Sequence, residues 1–147
     1  MLRGVLDTGV LISAVLNPIP GGASFDLLRF AKEGRFELHL SAGIIEETAR
    51  VLLTRKRIRD RYRYSDADVA EFCNDLLAIA IMETELPIVQ VVRDPDDDMI
   101  LACALAARAD YLVSRDRDLL SISEHSGTKI IAPEVFLAAL RNAEHTS

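Results

Sequence analysis

Tryptophan is absent from the 147 residues, aromatic side chains make up only 5%, and cysteine occurs twice, at Cys73 and Cys103. Neither cysteine has a Cys-x-x-Cys partner, which argues against a disulfide framework and a thiolate metal site. Both fall in apolar helical patterns and read as small buried hydrophobes. The three histidines, His39, His125 and His145, show no His-x-x-x-His spacing, so zinc is not expected. Neither Gly-x-x-x-x-Gly-Lys-Ser/Thr nor Gly-x-Gly-x-x-Gly occurs, which leaves a glycine phosphate loop without support. No apolar run is long enough to span a bilayer, and Met1 leads within a few residues into Val5-Leu6-Asp7. A membrane span, a membrane partner and a signal peptide are therefore not expected, and the cytoplasm is the expected location. Basic charge is in the minority, 17 residues against 23 acidic, a formal net charge of −6. This argues against gripping nucleic acid with the whole surface, although a local basic patch remains open.

What the chain does have is apolar content, 50% of it. A domain of this size buries on the order of 70% of its unfolded surface, enough for one core without staples. A single domain over 1–147 is expected, with a core at about 3–137 and a short tail at 142–147. Residues 2–7 read as a buried strand and 10–16 as an apolar helix broken by Asn17-Pro18-Ile19-Pro20-Gly21-Gly22. Residues 23–32 are amphipathic, 36–40 alternate like a strand, and Ser41 caps a helix at 42–53. Helical periodicity returns at 66–82. A short strand or extended segment is expected at 88–92, a helix at 94–108, a strand at 111–114, a helical turn at 119–123, a strand at 129–131 and a closing helix at 133–141 led by Pro133. Strands alternating with helices imply a parallel sheet covered on both faces, with ligands beyond the carboxyl ends of its strands.

Four acidic groups fall near those ends. Asp7 ends the first strand, where burial of a carboxylate is costly without compensation, although Asp7 or Thr8 also suits as a helix cap. Glu46 and Glu47 flank the apolar face of the helix at 42–53, Glu47 slightly nearer, and periodicity does not choose between them. Asp94-Pro95-Asp96-Asp97-Asp98 is a good helix start, yet four carboxylates in five residues exceed what a cap needs. Like charges so close raise one another's pKa unless a cation compensates. Asp116 and Asp118 follow the strand at 111–114. Oxygen-only ligands point to Mg²⁺ or Mn²⁺, and a hard cation without a nucleotide loop suits phosphodiester hydrolysis, in which it positions the phosphate, activates water and stabilises the leaving oxygen.

Val5-Leu6-Asp7-Thr8-Gly9-Val10-Leu11-Ile12-Ser13-Ala14, Ser41-Ala42-Gly43-Ile44-Ile45-Glu46-Glu47, Asp94 through Ala104, and Ala109-Asp110-Tyr111-Leu112-Val113-Ser114-Arg115-Asp116-Arg117-Asp118-Leu119-Leu120 together resemble a PIN domain. The likeness is to the single-domain bacterial branch that includes toxins of type II toxin–antitoxin pairs. It implies a three-layer α/β/α sandwich with a mainly parallel sheet of about five strands. It also implies a Mg²⁺- or Mn²⁺-dependent endoribonuclease whose catalytic acids are Asp7, Glu47, Asp97 and Asp116. Asp7, Asp97 and Asp116 would hold the metal, with Thr8, Glu46, Ser114 and Asp118 in support. A homodimer and an antitoxin partner follow from the same resemblance. Gly9 departs from the family pattern, which usually carries Asn there.

Six cations crowd into the nine residues 55–63, interleaved with Tyr62 and followed by Tyr64. The stretch reads as an RNA-backbone contact through Arg55, Arg57, Arg59 and Arg61, with bases stacking on a tyrosine, as a dock for an acidic partner peptide, or as plain solvated surface. Two rival functions remain. A phosphoacceptor signalling domain fits poorly, because Asp7 has no acidic neighbour and Lys129 begins its strand. A catalytically idle PIN scaffold acting through protein or RNA binding is the other.

Overall fold

The computed structural model describes residues 1–146, and within them a central sheet is flanked by helices on both faces. The first strand, β1 (Arg3–Leu6), is followed by α1 (Thr8–Leu16) and α2 (Ala23–Lys32). Next come β2 (Glu37–Ser41), α3 (Ala42–Thr54), α4 (Lys56–Arg61), α5 (Asp66–Ile79) and β3 (Ile81–Glu83). The chain continues through α6 (Pro95–Ala106), β4 (Tyr111–Val113), α7 (Arg117–Ile122), β5 (Glu124–His125), β6 (Thr128–Ile131) and α8 (Pro133–Thr146). The spatial order is β3-β2-β1-β4-β6-β5, with every pair parallel except β5 with β6. The expected sandwich is present, with six strands rather than about five.

β1 lies inside the sheet, and after the exposed Arg3 its residues Gly4, Val5 and Leu6 are buried, as a parallel strand between helix layers must be. Gly4 lies so close under Phe136 that a Cβ there would come within 2.9 Å of the ring, which itself packs edge-on against Phe36 at 5.0 Å. The strand order reverses at β1: β2 lies on one side and β4 on the other. That reversal opens a crevice beyond the carboxyl ends of β1, β2 and β4.

Several elements differ from the expectations, among them α4, a helix in the basic stretch where none was expected. The helix expected at 66–82 stops at Ile79, because Ala80 turns to extended backbone and Ile81–Glu83 join the edge of the sheet beside β2. The apolar run 79–82 satisfies either period, and the free edge of β2 decides it. Of the two readings of 88–92, short strand or extended segment, the strand is excluded because these residues make no ladder; the N–H groups of Val91 and Val92 donate to Asp98 Oδ1 at 3.0 and 2.7 Å. The closing helix runs on to Thr146, so 142–146 extend α8 rather than forming a tail, with Arg35 paired to Glu144 at 2.6 Å. Ser147, the last residue of that expected tail, lies outside the described residues. Lastly, the two-residue β5 carried no sequence signal; it forms because Ser123 and Ser126 at positive φ, with Gly127, fold the chain back onto β6.

Candidate active site

Asp7 stands at the end of β1 and caps α1, its Oδ1 accepting the Val10 N–H at 2.9 Å. It is 6% exposed. Its backbone N–H completes the ladder to Val113 at 3.1 Å, which places the next residue on that strand, Ser114, beside its carboxylate. The buried Ser114 hydroxyl donates to Asp7 Oδ2 and accepts the Asp116 N–H at 2.9 Å. Asp116 in turn caps α7, accepting from Asp118 N and Leu119 N at 2.8 and 3.3 Å. From the far side α6 enters with Asp94 as its cap and Pro95 in the first turn, and Asp97, 9% exposed, faces the crevice.

Asp7, Asp97 and Asp116 line a cleft of about 420 Å³ together with Thr8, Gly9, Glu47, Arg50, Arg55, Asp94, Asp96, Ile100 and Arg115. Asp97, Asp116 and Asp118 each bring one carboxylate oxygen within 4.8 Å of the others. Such crowding has an electrostatic cost. The Asp97 pKa is pushed up to about 6, first by burial and then by the charges of Asp116, Asp94, Asp7 and Asp118. Burial also raises the Asp7 pKa, against which the Ser114 hydroxyl and the Val10 N–H work.

The structure separates the sequence candidates. Glu47 lines the cleft, whereas Glu46 is exposed and lies outside its lining. Asp97 faces inward, and Asp98 turns away to hold the segment before α6. Of the basic residues Arg55, Arg57, Arg59 and Arg61, only Arg55 reaches the cleft. Arg59 is paired with Asp66 at 2.9 Å and lies over the Tyr64 ring, while Arg57 is exposed on α4 and Arg61 lies over Tyr62. Tyr64 is not a free stacking platform, since it is half-buried and its hydroxyl donates to Leu52 O at 2.5 Å. Arg50 and Glu134 are not among the sequence candidates, although the first has a local signal in its spacing from Glu47. Arg50 lines the cleft and pairs with Glu47, three residues before it on one helix. Glu134 opens α8 and pairs with Arg115 at 2.6 Å, and only the tertiary fold joins them.

The donor set suits a hard divalent cation. It is all oxygen, it is compact, and its charges repel one another in the absence of a counter-ion. In addition, the buried Thr8 Oγ1 on the cleft wall has no hydrogen-bond partner among the described residues. An unpartnered hydroxyl beside carboxylates is a group that a hydrated ion would satisfy.

Fold and cleft thus define an α/β protein that gathers carboxylates where the order of a parallel sheet reverses. The chain belongs to the PIN domain family, whose family model matches residues 3–118. PIN domains are generally nucleases. The crystal structure of PAE2754 from Pyrobaculum aerophilum is similar, with a TM-score of 0.61 and 20% identity over 96% of this chain and 90% of that one. A chain of VapBC2 from Rickettsia felis, solved bound to a DNA fragment from their promoter, matches with a TM-score of 0.57 and 14% identity over 88% of this chain and 97% of that one. No curated protein matches the sequence. Among the described residues no helix is long and apolar enough to cross a membrane.

Proposed function

We propose that the protein is a metal-dependent endoribonuclease that hydrolyses RNA phosphodiesters with Mg²⁺ or Mn²⁺ in the carboxylate cleft. The convergence of Asp97, Asp116 and Asp118 within 4.8 Å, beside the buried Asp7, carries the proposal. Asp7, Asp97 and Asp116 would hold the ion, with Asp118 and Thr8 in support. The cation supplies Lewis-acid stabilisation of the phosphate charge and a lowered pKa for water. The chain's own residues do the rest. Ser114 orients the Asp7 carboxylate and accepts the backbone N–H of Asp116, so the Asp7 side chain and the Asp116 backbone share one buried anchor. Arg55 contributes an exposed guanidinium at the mouth of the cleft, where it offsets acidic repulsion of the RNA backbone.

The idle-scaffold reading draws on Gly9, which offers no side chain to orient the first acid. A Cβ at that position would lie 3.6 Å from Asp7 Oδ1, near enough for a side chain there to have touched it. The hydrogen bond from Ser114 supplies that orientation instead, which favours an active site.

A toxin role fits the same reading. VapBC2 from Rickettsia felis is similar in fold and is a two-part assembly by its name. An antitoxin partner would mask the cleft in the resting cell, and a cytoplasmic location follows from an RNA substrate. A homodimer is supported by the exposed Leu77, Ile81, Leu86, Ile88 and Val91, which cluster in sequence around the edge strand β3.

The test is cleavage of single-stranded RNA by the purified protein with Mg²⁺ or Mn²⁺. EDTA should abolish it, and Asp97→Asn should lower it by orders of magnitude while the fold survives. Cleavage undiminished in EDTA would refute the mechanism.

A further inference from the structure

Glu47 lines the cleft but stands apart from the group of carboxylates that could share an ion. Both of its oxygens are already engaged: Oε1 accepts from Arg50 Nη2 at 2.6 Å and Oε2 from Arg50 Nε at 3.1 Å. A fork-on-fork pair of this kind fixes both groups in one plane and occupies both carboxylate oxygens. Glu47 is the sheltered member, with 19% of its side chain exposed against 57% for Arg50. The guanidinium therefore reaches outward over the cleft with two of its five donors used. An extended pair on a helix surface contributes only a few tenths of a kcal/mol to stability, about 0.2–0.5. Stability alone is a weak reason for placing it on the wall of an acidic cleft.

We infer that Glu47 stands outside the metal's coordination and is a positioning residue for Arg50, whose remaining N–H donors hold an RNA phosphate beside the carboxylate cluster. The inference rests on the ribonuclease reading and divides the labour within that site. The aspartates of α6, the β4–α7 turn and the end of β1 take the cation, and the pair on α3 takes the anion. A polyanion approaching this cleft meets Asp94 and Asp96 as well as the metal ligands, so a fixed cation on the cleft wall, working with Arg55, offsets their repulsion. A planar guanidinium held in advance by a carboxylate loses little freedom on meeting a phosphate, which a lysine ammonium at position 50 would not match.

The test has two arms. Mn²⁺ is titrated calorimetrically into the unsubstituted protein and into Glu47→Gln, Arg50→Ala and Asp97→Asn. A fluorescent single-stranded oligoribonucleotide is then titrated into the same proteins in Ca²⁺, with Arg50→Lys added. Glu47→Gln and Arg50→Ala should keep Mn²⁺ affinity within about threefold, whereas Asp97→Asn should lose at least about tenfold, because only the last removes a ligand. RNA affinity should fall about tenfold in Arg50→Ala, fall in the same direction in Glu47→Gln, and stay several-fold weak in Arg50→Lys, which keeps the charge and loses the fork. If Glu47→Gln loses Mn²⁺ as severely as Asp97→Asn, Glu47 is a ligand and the inference falls. Unchanged RNA affinity in Arg50→Ala overturns it as well, leaving the pair structural. An unsubstituted protein that binds no Mn²⁺ overturns the metal reading of the site, and this inference with it.

Discussion

The Ser114 hydroxyl donates to the Asp7 carboxylate across 107 residues of sequence, at a site where Ser114 is completely buried and Asp7 nearly so. The same oxygen accepts the Asp116 N–H. One serine therefore references two acids from neighbouring strands to a common point. Its hydrogen bond is also the largest influence opposing the upward push of burial on the Asp7 pKa.

Ser114→Ala should accordingly be costly. It leaves Asp7 with a single donor and the Asp116 N–H without its acceptor, and losing buried partners costs about 1–3 kcal/mol. Chemical denaturation should show that loss, and Mn²⁺ affinity should fall with it as Asp7 takes up a proton more readily. Wild-type values in both measurements would mean that the serine anchors nothing.

Asp97 makes the metal-free protein pH-sensitive. Its folded pKa of about 6 lies above the ordinary 3.8, so between those values the native state keeps a proton that the unfolded state has released. Stability therefore falls as pH rises through that window and stays lower above it. Asp97→Asn should stabilise the metal-free protein at pH 7.5 by about 1–2 kcal/mol, and the gain should vanish near pH 4. Mn²⁺ affinity of the unsubstituted protein should drop below pH 6 by up to about tenfold per unit as protons compete for this ligand. Thermal unfolding with and without Mn²⁺ across that range checks both expectations.

Asp98 is the control for Asp97. Its carboxylate holds the Val91 and Val92 N–H groups and faces away from the cleft lining. Asp98→Ala should cost about 1–2 kcal/mol through those two lost bonds and raise hydrogen exchange at Val91 and Val92, while Mn²⁺ affinity stays within about threefold. A metal-binding loss equal to that of Asp97→Asn would place the wrong aspartate in the site.

RNA affinity should depend on salt through the basic segment. Each phosphate neutralised on a single strand contributes roughly 0.7 to the slope of log affinity against log salt. Replacing Arg57, Arg59 and Arg61 with alanine should weaken binding and flatten that slope while sparing Mn²⁺. Arg59 is already partnered by Asp66, so it should contribute less than Arg57. Arg55→Ala alone should weaken binding more than any one of the three, since it is the member that lines the cleft. An unaltered slope in the triple variant would make α4 a docking surface for another protein.

Much of this protein was legible in the sequence because the deciding interactions are short. Caps act over three residues, so Ser41 and Asp94, together with Asp7 and Asp116, announce the helices they start. The order of strands, helices and acids likewise identifies the family from residues alone, and its model spans 3–118. Where two periods fit the same residues, as at 79–82, the chain carries no preference of its own, and the open edge of β2 made the choice. The segment 88–92 has strand-like side chains but found no neighbouring strand, so its last N–H groups turned to Asp98. Periodicity does not choose between Glu46 and Glu47; the family resemblance points to Glu47, and Glu47 is the one that lines the cleft. The bond from Ser114 to Asp7, the cluster of Asp97 with Asp116 and Asp118, and the pairing of Arg115 with Glu134 all join elements distant in sequence. Composition and local propensity determine which residues start helices, cross the core and carry charge. Which of those charges meet is decided by strand order, because hydrogen bonds and carboxylate repulsion act over a few ångström of space and take no account of distance along the chain.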